Sequence, residues 1–145
     1  MQVVSGSLWD YHSERDYTVI TYNRVICSYG LVMGRGCALQ ARQRFPSLPR
    51  IFSKLVTHRT SFMVYHPYRL VACCTKHDWQ QPADPELIRH SYTQLNKYAH
   101  AHPELRFFTT LPGSGNGWLE HSDMWKLIRK ILDAENIFIV CPRKR

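Results

Sequence analysis

Gly30-Leu-Val-Met-Gly34-Arg-Gly36-Cys-Ala-Leu-Gln-Ala41 is a glycine-rich turn that runs straight into good helix formers. Upstream of it, residues 17–28 are rich in β-branched and aromatic types and read as extended chain. Strand, bare-backbone turn and helix N-terminus in succession make an anion site. Without side chains in the way, N–H groups converge on a phosphate, and the helix dipole adds to the attraction. The spacing is neither G-x-G-x-x-G nor G-x-x-x-x-G-K-[ST]. A dehydrogenase-type dinucleotide site and a nucleoside triphosphatase both lose ground. A plain turn after a strand remains the alternative.

Outward from this loop the pattern alternates. Cys37 to Arg44 is helical and stops at Phe45-Pro46, because the residue before proline avoids the helical region. Ser47 is the expected cap of a second helix, where Leu48, Ile51, Phe52, Leu55 and Val56 recur at helical spacing. Phe62–Tyr65 and Arg69–Thr75 read as strands joined by His66-Pro67-Tyr68. The segment Val71-Ala-Cys-Cys is apolar on both faces, as an interior strand between two helical layers must be. Asp84-Pro85 starts a helix carrying the stripe Leu87, Ile88, Tyr92, Leu95 and Ala99. Arg106–Thr110 is a strand, residues 121–134 a helix, and Ile137–Val140 a last strand. The expectation is one α/β domain over residues 1–145, with helices flanking a mostly buried sheet.

A second glycine loop, Leu111-Pro-Gly113-Ser-Gly115-Asn-Gly117-Trp118, also lies between a strand and a helix. In an open α/β sheet both loops emerge at the carboxyl ends of strands, where ligands bind, and two of them suit a diphosphate. Trp118 either covers a sugar or base or is a core aromatic. Thr75-Lys76-His77-Asp78-Trp79 ends the apolar strand. There Lys76 is either a solvated strand-end lysine or one made nucleophilic by partial burial and nearby cations.

Composition narrows the classes. The 145 residues fit one domain, and folding should bury about two-thirds of the unfolded surface. With 21% charged and 12% aromatic residues the chain is far from disordered composition. No apolar run approaches about 18 residues, and Met1-Gln-Val-Val-Ser-Gly lacks a signal-peptide layout. A cytoplasmic protein without membrane contact is expected. The formal charge of +8 raises the local concentration of polyanions and makes nucleic acid a plausible partner. That charge is scattered apart from Arg143-Lys144-Arg145. Five cysteines without a C-x-x-C pair read as free thiols. The His100-x-His102 pair has no companions at metal-ligand spacing, so neither a metal nor another cofactor is expected.

Taken together these segments resemble a macro domain, the ADP-ribose-binding module. Leu31 to Ala41, followed by Arg44-Phe-Pro46, is similar to that family's first ligand loop, commonly G-V-M-G-K-G-I-A-L-Q-F with K-x-F-P soon after. Gly113-Ser-Gly-Asn-Gly-Trp-Leu119 is similar to its second loop, G-C-G-N-G-G-L. Thr75-Lys76-x-x-Trp79-x-x-Pro82 looks like the T-K-x-H-W-R-x-P stretch of one branch. That branch holds the bacterial DNA ADP-ribosyl glycohydrolase antitoxins and the related terminal ADP-ribose protein glycohydrolases.

The resemblance implies a three-layer α/β/α fold with a mixed, mostly buried central sheet flanked by helices, acting as a monomer on ADP-ribose or an ADP-ribosylated substrate. Val32, Met33, Gly34, Arg35, Gly36 and Cys37 should wrap the distal ribose and one phosphate. Gly113, Ser114, Gly115, Asn116, Gly117 and Trp118 should close over the diphosphate. Lys76 matches the catalytic lysine of the glycohydrolases. The position of an assisting aspartate in the protein-directed relatives is Gly117 here, as in the DNA-directed antitoxins. Ser7 and Leu8 stand where the family has G-D-[IL], so adenine selectivity should weaken. The family's asparagine falls near Ser28, or at Asn23 with a shift of several residues. The His and Arg of the lysine stretch correspond to Asp78 and Gln80.

Cleaving an ADP-ribosyl bond needs stabilisation of an oxocarbenium-like carbon, help for the leaving group, and a nucleophile or activated water. Lys76 is the candidate for the nucleophile or the charge stabiliser, with His77, Asp78, Glu120 and His121 as possible proton carriers. A non-catalytic ADP-ribose reader and an ADP-ribose 1″-phosphate phosphatase stand as the alternatives.

Overall fold

In the computed structural model, which describes residues 1–57 and 59–143, strands and helices alternate along the chain. In order they are β1 (Gln2–Ser5), β2 (Tyr17–Asn23), β3 (Ile26–Cys27), β4 (Gly30–Leu31), α1 (Gly36–Arg44) and α2 (Leu48–Leu55). There follow β5 (Phe62–Tyr65), β6 (Leu70–Lys76), α3 (Pro85–Ala101), β7 (Phe107–Thr109), α4 (His121–Ile131) and β8 (Ile137–Cys141). Lys144 and Arg145 of the basic tail lie outside the described residues.

Six strands form one sheet in the order β1-β8-β7-β2-β6-β5. All neighbours run parallel except β5, which is antiparallel to β6. The sheet is therefore mixed. The carboxyl ends of its five parallel strands share one edge, and every loop leaving that edge is free to meet the others.

Period-two alternation distributes the strand residues between two helical layers. Ile20, Tyr22, Leu70, Ala72 and Cys74 face α1 and α2, packing with Ala41, Leu48 and Phe52. Val19, Val71, Cys73 and Ile139 face α3 and α4, packing with Ile88, Tyr92, Leu95 and Ile128. β6 is buried from Leu70 through Thr75, as its two-sided apolar sequence requires. This is the expected three-layer α/β/α arrangement.

Several boundaries differ from the sequence reading. Residues 17–28 are not one strand: β2 ends at Asn23, whose side chain takes over the backbone. Its Oδ1 accepts from Val25 N at 3.0 Å, and its Nδ2 donates to the Val32 carbonyl at 3.1 Å. The chain then makes the β3–β4 hairpin before the glycine loop. β1, a short and largely exposed edge strand, carried no pattern to read. Ser47 holds the expected N-cap position of α2 but makes no side-chain cap; its hydroxyl meets Tyr68 Oη at 3.2 Å, and Pro49 in the first turn helps start the helix. α4 ends at Ile131, with Leu132 turning into extended chain to reach β8.

The hairpin is pressed against α2. Gly30 has φ +125°, and a Cβ there would stand 2.3 Å from the Pro49 carbonyl oxygen. Gly30→Ala should destabilise the fold by about 3 kcal/mol, summing left-handed strain and overpacking. Chemical denaturation will show a lower midpoint at an unchanged m-value.

Candidate functional site

The loops leaving the carboxyl edge enclose a cleft of about 600 Å³. Its walls come from Thr21 and Asn23 at the end of β2, Val32 and Gly34–Cys37 in the first glycine loop, and Gln40 in α1. Thr75, Lys76 and Trp79 enter from β6 and the strap after it. Residues 110–117 of the second glycine loop, His121, and residues 140–142 complete the lining. The charged side chains in the lining are Lys76 and Arg35; no carboxylate is among the described residues that form it. A wall of this sign, with backbone N–H groups exposed in glycine loops, suits an anionic ligand.

The two loops touch. A Cβ at Gly36 (φ +58°) would come 3.0 Å from Asn116 Nδ2. The second loop is also tied to the strap after β6, where Ala83 N donates to the Gly117 carbonyl at 2.9 Å. The strap closes on itself through Asp84 N to the Thr75 carbonyl at 2.8 Å. Lys76 is held at this junction. Its Nζ donates to the Asn116 carbonyl at 2.5 Å and lies 4.9 Å from the centre of the Trp118 ring. Burial first, and the Arg35 cation second, lower the Lys76 pKa below the ordinary lysine range.

The residues singled out in the sequence do not all converge. Val32, Gly34, Arg35, Gly36, Cys37, Lys76 and Gly113–Gly117 line the cleft. Met33 is fully buried in the core beneath the first loop. Ser28 sits in the exposed turn of the β3–β4 hairpin, outside the cleft, and Asn23 stands at the wall instead. The hairpin accounts for the shift in register that an ungapped alignment misses.

Leu8 is core, packed on the α1–α2 face. Ser7 faces a separate depression of about 380 Å³ with Trp9, Asp10, Gln43 and Arg44, which meets the main cleft only at Gln40. Asp10 Oδ2 accepts from Ser7 N there at 2.9 Å. Trp118 is outside the lining, 57% exposed, with its ring over Lys76. It is not a core aromatic.

Of the four possible proton carriers only His121 reaches the lining. Its Nε2 accepts from Trp125 Nε1 at 2.9 Å, which leaves the proton of the neutral ring on Nδ1. His77 is diverted to Asp84, 2.8 Å away. Trp79 of the Thr75-Lys76-x-x-Trp79 stretch also lines the cleft, as do Thr21, Gln40 and residues 140–142, which carried no signal beyond sitting at or near strand and helix ends. Among the described residues no three His, Cys, Asp or Glu side chains gather as a metal site would need.

Among solved structures the chain is similar to the macrodomain of Thermus aquaticus DarG (TM-score 0.76, 23% identity, 99% of this chain and 97% of that one). It is also similar to the macrodomain of Mycobacterium tuberculosis DarG (TM-score 0.75, 21% identity, 99% and 97%). A third likeness is Thermosipho africanus DarTG solved in complex with ADP-ribose (TM-score 0.73, 17% identity, 99% of this chain and 43% of that one). The chain has the macrodomain fold. No family profile and no curated protein matches its sequence.

In this macrodomain the strap between Lys76 and α3 is anchored by Asp84. Asp84 Oδ1 accepts from Glu86 N at 2.9 Å as the helix cap, and Oδ2 accepts from His77 Nε2. The His77 hydrogen bond, with backbone N–H groups behind it, holds the carboxyl below its usual range. A depressed carboxyl stabilises the fold above its unfolded pKa, and the contribution is lost as pH falls through the folded value. Asp84→Ala should cost about 1 kcal/mol at neutral pH. The gap in thermal midpoint from wild type should close in acid.

Proposed function

We propose that this macrodomain binds ADP-ribose in the Lys76 cleft and removes ADP-ribosyl groups from a modified nucleic acid, with Lys76 as the catalytic residue. The observation carrying the proposal is the position of Lys76, at the carboxyl end of an interior strand and between two touching glycine loops. The cleft volume accommodates a nucleotide-sized ligand. Exposed loop N–H groups, with Arg35 beside them, would hold the diphosphate. The distal ribose would then lie against Lys76, and Asn23 would take a ribose hydroxyl. The fold shared with the DarG macrodomains and with an ADP-ribose complex supports this placement.

Two features favour a nucleic-acid substrate over protein. The charge is +8, and Gly117 stands where protein-directed relatives of the resembled branch carry an aspartate. Lys76, with its pKa lowered, supplies an amine that attacks the anomeric carbon as the bond to the base or acid breaks, and water then cleaves the ADP-ribosyl–lysine adduct, releasing ADP-ribose and restoring the amine. We assign the proton for the leaving group to His121, the one of the four possible carriers that lines the cleft. The five described cysteines are all unpaired, which supports a reducing compartment and therefore the cytoplasm. The reading is of one domain, acting as a monomer.

A non-catalytic reader is the second reading. It is favoured by the diversion of His77 to Asp84 and by the lack of a carboxylate among the described residues that line the cleft.

The deciding experiment incubates the protein with thymidine-ADP-ribosylated single-stranded DNA and, in parallel, glutamate-ADP-ribosylated protein. Release from DNA should fall about 100-fold or more in Lys76→Ala. The rate should rise with pH through the folded pKa of Lys76 and level off below the ordinary lysine range, because the neutral amine is the acting form. No release from either substrate, with ADP-ribose still binding by calorimetry, would establish the reader.

A further inference from the structure

Trp118 is a bulky residue in the left-handed region, at φ 59° and ψ 16°. Side chains other than glycine and asparagine are strained there, and such strain collects at functional sites. Its indole is nevertheless turned outward, 57% exposed, above the Lys76 amine. Three residues later α4 begins, and a ladder runs down its outer surface. His121 lines the cleft, Trp125 one turn on donates its indole N–H to His121, and Arg129 a further turn on lays its guanidinium 5.1 Å over the Trp125 ring.

The three lie at i, i+4 and i+8, one stripe spanning about 12 Å of helix. Trp125 is partly buried against the α3–α4 face of the core, so the exposed Arg129 guanidinium above it is the flat surface this part of the stripe offers to solvent. Exposed Lys126 and Lys130 run along one side of it, while the acids, Glu120 at the N-cap and Asp123 in the first turn, stay at the cleft end. Flat aromatic and guanidinium surfaces beside ammonium groups match unstacked bases joined by phosphates; bases inside a duplex are already stacked and out of reach.

We propose that Trp118 and the His121–Trp125–Arg129 stripe form a track for single-stranded nucleic acid, with Trp118 stacking on the modified base and the stripe holding the flanking nucleotides. The inference rests on the reading of the Lys76 cleft as an ADP-ribose site and extends it away from that site. Substrates are then distinguished by the chain flanking the modification, and not by ADP-ribose alone.

The test uses the full chain carrying Lys76→Ala, so that bound substrate persists. Affinity is measured for ADP-ribosylated thymidine mononucleotide, for the same nucleotide inside a single-stranded oligonucleotide, for the unmodified oligonucleotide, and for an ADP-ribosylated glutamate peptide. The oligonucleotide should bind about tenfold tighter than the mononucleotide. Arg129→Ala should erase most of that gain and reduce the salt slope by about 0.7. Arg129→Lys should restore the slope without the stacking gain.

Equal affinity for mononucleotide and oligonucleotide overturns the track, as does a length gain indifferent to Arg129→Ala. Tighter binding of the peptide overturns it as well. If ADP-ribose itself fails to bind, the cleft reading is what falls. The unmodified strand then decides the track alone, by whether its affinity drops in Arg129→Ala.

Discussion

The parallel ladder between β2 and β6 fixes the position of everything the cleft contains. Thr18 through Tyr22 pair residue by residue with Leu70 through Cys74, and then the register shifts, so that Asn23 stands opposite Lys76 and not Thr75. Because side chains alternate across a strand, a slip of one residue exchanges faces. The shift sets Lys76 beside Asn23, at the wall it shares with the first glycine loop. Thr75 is left with its carbonyl free to close the strap through Asp84 N. One irregularity in the central pairing thus sets both the lysine and the loop that carries it.

The rest of the site is held by backbone contacts that tolerate little side-chain volume. Gly36 lies against Asn116, Gly117 against Ala83, and Gly113 would drive a Cβ to within 2.7 Å of Ile88 Cδ1. These contacts make two loops and a strap behave as one rim, so the geometry around Lys76 is built before any ligand arrives. Such preorganisation lowers the ordering cost of binding.

Much of this was legible from residue order. The apolar β6, the Asp84-Pro85 helix start and the two glycine loops are local signals, each with its own physical cause. The β3–β4 hairpin was not legible, since its strands are two residues each, and Asn23 replaces backbone pairing with side-chain hydrogen bonds that leave no periodic trace. That is why Ser28 stood as a site candidate while Asn23 holds the wall. Leu8 and Met33 sit within ligand-loop motifs yet point inward, because motif letters do not say which face of the backbone a side chain leaves from. The His77–Asp84 pair and the His121–Trp125 pair depend on how the strap and α4 begin, which spacing alone cannot give.

The outward indole of Trp118 has a consequence for anyone who studies the protein in solution. Indole emission shifts with solvent contact and is altered by a charged neighbour, and this ring has water on one side and the Lys76 amine on the other. Trp9, by contrast, is buried, with its N–H taken by Gln40. Trp118 beside the cleft and the part-exposed Trp79 in its lining are therefore native optical reporters of what enters it, without any label being attached.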